Sequence, residues 1–295
     1  MANYRVHHKT IYDYENEVQT SHLAVHLEPL NTWGQILHNF RLDIRPVPRD
    51  LTRRVDYFGN ATQIFNLSEP HRHLEVDAQS LVTVHPRNVI APQNTFSCAQ
   101  LRSIMENVAG DDLLQAAEFL LPSPRVPLLA AARDFAAPVM QDERPALDAA
   151  LALCAKIHSD FKFKRGVTDA HSPIEHLLRH KQGVCQDFAH FAISCLRCFG
   201  IPAAYMSGYI RTSPPPGRPR LIGADASHAW VSIMIPQYGW VEIDPTNNCL
   251  VNEDHIAVAK GRDYGDVSLI RGSVLGGGKQ TIKVAVTVEP MTSLA

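Results

Sequence analysis

Cys185 follows directly on Gly183 and Val184 and stands at the predicted start of an apolar helix spanning residues 184–199. A helix start carries unpaired N–H groups and the positive end of the helix dipole, and both favour a thiolate. A free cysteine is otherwise a small buried hydrophobe, so position alone leaves two readings open. His228 opens a strand-like run, residues 228–235, and Asp244 closes the next, residues 240–244, where Pro245 ends the ladder. If these runs form a hairpin, His228 and Asp244 meet. The imidazole then stands between a sulfur and a carboxylate, which is the order nucleophile, base, orienting acid. For both side chains to share a sheet face, the turn must hold an odd number of unpaired residues or the hairpin a bulge.

Several elements must position these residues. Residues 1–100 alternate apolar and polar types in short runs at 4–14, 21–27, 36–44, 61–67 and 78–84, separated by turns such as Phe58-Gly59-Asn60. Short strands at this spacing predict a sandwich or barrel. Residues 101–121 read as helix, and the three prolines 122, 124 and 127 break it. Leu147, Leu151, Cys154, Ile157 and Phe161, in steps of three and four, predict an amphipathic helix. Ser172-Pro173-Ile174-Glu175 predicts a helix start with Ser172 capping and Glu175 closing a capping box. Gly200 and Pro202 end the helix that Cys185 opens. Residues 236–239 supply the turn between the two strands, and residues 281–288 form a last strand after Gly276-Gly277-Gly278. Helices followed by antiparallel strands make the second half α+β.

Taken together, Gly183-Val184-Cys185-Gln186-Asp187-Phe188, the segment from Gly200-Ile201-Pro202 to Gly208-Tyr209, His228-Ala229-Trp230-Val231 and Gly239-Trp240-Val241-Glu242-Ile243-Asp244-Pro245-Thr246 resemble, in order, the motifs of the bacterial transglutaminase-like family. The resemblance covers roughly residues 145–250. Tyr4 to Tyr14, Leu27-Glu28-Pro29-Leu30 and Asp56-Tyr57-Phe58-Gly59-Asn60 resemble the β domain that precedes this core in many members. The resemblance implies an α+β chain. A sandwich-like β-rich domain over 1–121, ending in a helical segment, precedes a papain-like transglutaminase core over 128–290, with helices packed on an antiparallel sheet. It also implies Cys185 as nucleophile, His228 as base and Asp244 as orienting carboxylate.

The chemistry implied is attack of the thiolate on an amide carbonyl, a thioester, and release of the acyl group to water or an amine. The Cys185 N–H is one candidate oxyanion donor and Gln182 is considered for the second. Asp187 complements the helix dipole, and Trp230 and Trp240 either wall the site or pack across strands. The reading leans to hydrolysis of a peptide or isopeptide in a protein substrate, with protein-glutamine transglutamination and an idle peptide-binding module as alternatives.

The remaining residues point to neither cofactor nor metal. His176 and His180 are four apart, but Leu177 stands where a His-Glu-x-x-His motif needs glutamate, and Cys195 and Cys198 have no second cysteine pair. The 28 basic and 30 acidic residues give a net charge of −2, which argues against a nucleic-acid partner. No apolar run reaches the ~18 residues of a membrane span. The six cysteines are too sparse for a disulfide scaffold and the N-terminus lacks a signal-peptide core, so the expectation is a cytoplasmic protein that makes no membrane contact.

Overall fold

The computed structural model describes residues 1–87, 90–107, 110–212 and 226–292. Its first sheet is organised by one long strand, β1 (Ala2–Val25). The two runs read separately at 4–14 and 21–27 are thus one strand, broken in register between Asp13 and Val18. Four further strands follow: β2 (Gln35–Arg45), β3 (Asp50–Val55), β4 (Ala61–Leu67) and β5 (His71–Val84). They join β1 in the order β2-β5-β1-β4-β3, all antiparallel. β3 has no buried residue, so hydrophobic alternation could not announce it.

Residues 101–121 do not form one helix. α1 (Cys98–Glu106) and α2 (Asp111–Ala117) are parted by Gly110, whose φ of 97° is a left-handed conformation that stops α-helix. α3 (Ala130–Ala136) and α4 (Ala146–Asp160) follow, with Leu147, Cys154 and Ile157 of α4 buried as their spacing predicts. A two-residue strand, β6 (Lys162–Phe163), precedes α5 (Ile174–His180). Ser172 does not cap α5. Its hydroxyl instead bonds Asp169, and Pro173 occupies the cap position with no side-chain bond.

β7 (Gln182–Gly183) pairs in parallel with β6 and leads into α6 (Cys185–Cys198). Apart from its first two residues and Cys198, α6 is buried all round. It lies against the second sheet, built from β8 (Ala203–Ile210), β9 (Ala226–Ile235), β10 (Gly239–Asp244), β11 (Cys249–Leu250) and β12 (His255–Gly261) in the order β11-β10-β9-β8-β12. The proline-rich stretch Ser213-Pro214-Pro215-Pro216-Gly217 falls in residues 213–225, outside those described.

After α7 (Tyr264–Val267), β13 (Ile270–Gly276) and β14 (Gln280–Met291) return to the first sheet. β14 pairs with residues 3–14 of β1, and β13 pairs with residues 18–25. The last strand therefore sits in the sheet of the N-terminal half rather than beside the second sheet. Tyr4, Val6, Val82 and Val84 of the first sheet share one buried core with α4, α6 and the second sheet.

Two buried amides seam the halves together. The Asn60 side chain donates to the Lys260 carbonyl at 2.8 Å and accepts the Lys260 N–H at 2.7 Å. The Gln35 side chain does the same for Ala257, 2.8 Å each way, next to the break in register of β12 against β8.

Candidate active site

Cys185 is the first residue of α6 and is partly exposed, at the point where a helix offers N–H groups without partners. The turn into the helix is fixed by Asp187. Its Oδ2 accepts the Val184 N–H at 2.7 Å and the Thr168 hydroxyl at 2.7 Å. Burial raises the Asp187 pKa above the usual carboxylate value, against the pull of these donors. Gly183 makes this approach possible, because a Cβ there would lie 2.8 Å from Asp187 Oδ2 and 3.0 Å from Leu177 Cδ1. Asp187 thus shapes the nucleophile's turn. Gln182 pairs with Lys162 in the two-strand ladder, and Gln186 donates to the Ala170 carbonyl at 3.3 Å.

β9 and β10 form the expected hairpin. Ile235 pairs with Gly239, so the turn holds three residues, an odd number, and the ladder runs to Val231↔Ile243. Asp244 and His228 therefore fall on one face. His228 Nε2 lies 2.7 Å from Asp244 Oδ2, and the Cys185 side chain is near enough to the His228 ring to raise its pKa. With Nε2 engaged by the carboxylate, Nδ1 is the nitrogen left to face the sulfur. The three residues singled out from the sequence are brought together.

Asp244 is completely buried and accepts five hydrogen bonds. Oδ1 takes the Thr246 and Asn247 backbone N–H groups at 2.8 and 3.1 Å. Oδ2 takes His228, the Asn247 amide at 2.6 Å and His255 Nε2 at 3.1 Å. Burial alone would raise its pKa; these donors outweigh that and hold the carboxyl well below its usual range. Burial likewise disfavours the imidazolium of His228, but Asp244 and the nearby Cys185 reverse the balance and raise its pKa to about 10. At neutral pH the site holds an imidazolium between an anionic carboxylate and a sulfur.

His255, at the start of β12, is absent from the sequence reading. It is buried, and its Nδ1 lies 3.4 Å from the Asn252 N–H and 3.1 Å from Asn252 Oδ1. No local signal marks it: a histidine opening a strand is most often a surface residue, and its partner belongs to another strand.

Trp230 is fully buried, donates to Glu242 at 2.9 Å and lies 6.0 Å from the His228 ring and 5.4 Å from that of His255. It floors the histidine pair. Trp240 packs on Phe119 and under Lys260 instead. Gly208, opposite His228 in the ladder, gives room here, since a Cβ would meet the Ile256 carbonyl at 2.1 Å and Trp230 at 2.6 Å.

His228, Asp244 and His255 are, among the described residues, the one group whose ligand atoms cluster within 4.8 Å, as an ion would require. Both Nε2 atoms already make direct hydrogen bonds to the carboxylate. The His176 and His180 rings lie 4.3 Å apart, tilted by 42°, on α5 outside that cluster. The other cysteines are poor nucleophiles, because burial raises Cys98 and Cys249 to about 11 and pushes Cys154, Cys195 and Cys198 up as well.

The fold matches, with a TM-score of 0.77, that of a candidate cysteine protease from Cytophaga hutchinsonii, at 17% identity, over 100% of this chain and 92% of that one. A model of the bacterial transglutaminase-like N-terminal region matches residues 4–83, and one of the transglutaminase-like superfamily matches residues 133–245. An uncharacterized protein of Mycobacterium tuberculosis is 37% identical over 294 residues, spanning 97% of this chain and 92% of its own. An uncharacterized Mycobacterium leprae protein is 30% identical over 98% and 99%. A protein-glutamine gamma-glutamyltransferase of Pseudomonas aeruginosa is 33% identical over 30% of this chain and 14% of its own. The chain belongs to the transglutaminase-like superfamily and carries the bacterial N-terminal region of that group.

Proposed function

We propose that the protein is a cysteine-dependent amide hydrolase or acyl transferase, with Cys185 as nucleophile, His228 as base and acid, and Asp244 as the carboxylate that orients the imidazole. The observation that carries this reading is the buried His228–Asp244 pair at 2.7 Å, with Cys185 at the start of α6 near enough to act on the imidazole. The imidazolium stabilises a thiolate at the helix start. The sulfur attacks the amide carbonyl while the developing oxyanion takes the Cys185 N–H. His228 gives its proton to the leaving amine, the C–N bond breaks and a thioester remains. His228, now neutral, takes a proton from water or an acceptor amine as that nucleophile releases the acyl group. Asp244 keeps the ring in one orientation throughout, and His255 and Asn247 in turn hold Asp244.

Between the two acceptors, hydrolysis of a peptide or isopeptide in a protein substrate is the reading favoured here. The test is intact-mass and product analysis after incubation with a peptide library and a labelled primary amine. Cleaved peptide without amine adduct supports hydrolysis. Amine incorporation at glutamine reassigns the protein as a transglutaminase. Absence of both products, with no acyl-enzyme mass, overturns the enzymatic reading.

A further inference from the structure

A groove of about 750 Å³ opens beside the candidate site, between the face of the first sheet and the second half of the chain. Alternation builds its sheet wall. Tyr12 and Tyr14 on β1, and Ile282 and Val284 on β14, are spaced by two and so project from one face. The tyrosine rings stack at 6.2 Å and 11°. Ile282 and Val284 are aliphatic yet 49% and 55% exposed, an apolar surface left open to solvent. The opposite wall includes Ala170 and Ser227. Ser227 precedes His228 in β9, and the Ala170 carbonyl receives the amide of Gln186, the residue after Cys185, so this wall of the groove is within a residue of the candidate site in both elements.

Its charge is one-sided. Arg125 and Arg271 line it, and no aspartate or glutamate does so among the described residues. The side-chain partners of both guanidinium groups there are neutral: the Ala170 carbonyl, His171 Nδ1 and the Tyr264 ring for Arg125, and the Gly265 carbonyl for Arg271. Two cations that no carboxylate of the described residues pairs, set in an aliphatic and aromatic channel, define an occupant that is extended, acidic and apolar by turns.

We propose that the groove binds the segment of a protein substrate that flanks the attacked amide, and that it selects chains in which carboxylates alternate with aliphatic side chains. The proposal rests on the amidase or acyl-transfer reading of Cys185. Carboxylates form charge-assisted hydrogen bonds with the two arginines, aliphatic side chains cover Ile282 and Val284, and a basic segment is repelled. An extended backbone presents alternate side chains to a sheet-lined wall, as strand-like peptide recognition requires.

The test uses full-length C185A, which cannot form a thioester, and two fluorescein-labelled nonapeptides with a central glutamine. One alternates Glu and Leu on both sides, and the other Lys and Leu. Fluorescence anisotropy is expected to show the Glu peptide binding about tenfold tighter at low salt, with the preference shrinking as salt rises. Arg271 is exposed, so Arg271→Glu in the same background is expected to keep the melting temperature and lose the preference. Equal affinities, no saturable binding of the Glu peptide, tighter binding of the Lys peptide, or a preference untouched by Arg271→Glu would each overturn the proposal. Chemistry is read separately, by alkylation of wild-type Cys185. A selective groove beside an unreactive sulfur would remove the enzymatic reading and leave the binding site. A reactive sulfur beside an unselective groove would do the reverse.

Discussion

At the residue scale the site turns on Asp244, whose buried charge is tolerable because five donors surround it. His255 supplies one of them without touching the sulfur, so it is a positioning residue. His255→Ala is expected to lower kcat by up to about a hundredfold with little change in KM, through a small displacement of the carboxylate and then of His228. His255→Gln, which keeps a donor, is expected to recover part of the loss; steady-state kinetics on both variants checks this. The imidazolium of His228 gives a second expectation. Iodoacetamide at pH 6 is expected to alkylate Cys185 and spare the five cysteines whose pKa burial raises, read by peptide mass mapping. His228→Ala is expected to abolish that selectivity.

Other histidines set the pH dependence of stability. Burial lowers His8 and His190 to about 4. His190 Nε2 accepts the Tyr264 N–H at 3.1 Å, which requires a neutral ring. Between pH about 6.5 and 4 the unfolded chain binds protons that the folded chain refuses, so stability falls as pH falls through that window. His228 acts in the opposite direction. Its raised pKa gives stability present in full below about 6.5 and lost as pH rises toward 10. Unfolding free energies from urea titrations are expected to peak near pH 6.5 and to drop by about 2 kcal/mol per buried neutral histidine by pH 4.5.

At the element scale, the start of α6 and the β9–β10 hairpin deliver the reacting groups, and two glycines allow the approach. In Gly208→Ala the new methyl would meet a backbone carbonyl that cannot rotate away. The expected cost is about 3 kcal/mol in urea unfolding, with weaker His228 function in whatever folds. The hairpin was legible because its turn and the terminating Pro245 are local, while its parity was decided by Gly239 joining the ladder opposite Ile235. The start of α5 was misread because Ser172 has a competing partner in Asp169, and a capping pattern cannot report which acceptor its hydroxyl will choose.

For the whole molecule, the N-terminal sheet and the second half fold as partners. β1 is held on one side by β13 and β14, and Asn60 and Gln35 satisfy the backbone of β12 across the seam. Asn60→Ala would leave the buried Lys260 N–H and carbonyl without these partners, and is expected to cost about 2–4 kcal/mol in urea unfolding. A chain truncated after residue 269 would uncover one side of β1 along its length, and is expected to aggregate, read by light scattering.

By itself the sequence determined the order of motifs, the residues able to do thiol chemistry, and the element ends on which they sit. Those properties are carried by neighbours a few positions apart: a glycine before a helix, a proline after a strand, a turn between two strands. Tertiary structure alone decided that His255 shares Asp244 with His228, that the last two strands rejoin the first sheet, and that Arg125 and Arg271 line one groove. Asn60 meets Lys260 across 200 residues and Gln35 meets Ala257 across 222. Local periodicity is blind at that range, because it records which face of an element is buried and not which element covers it.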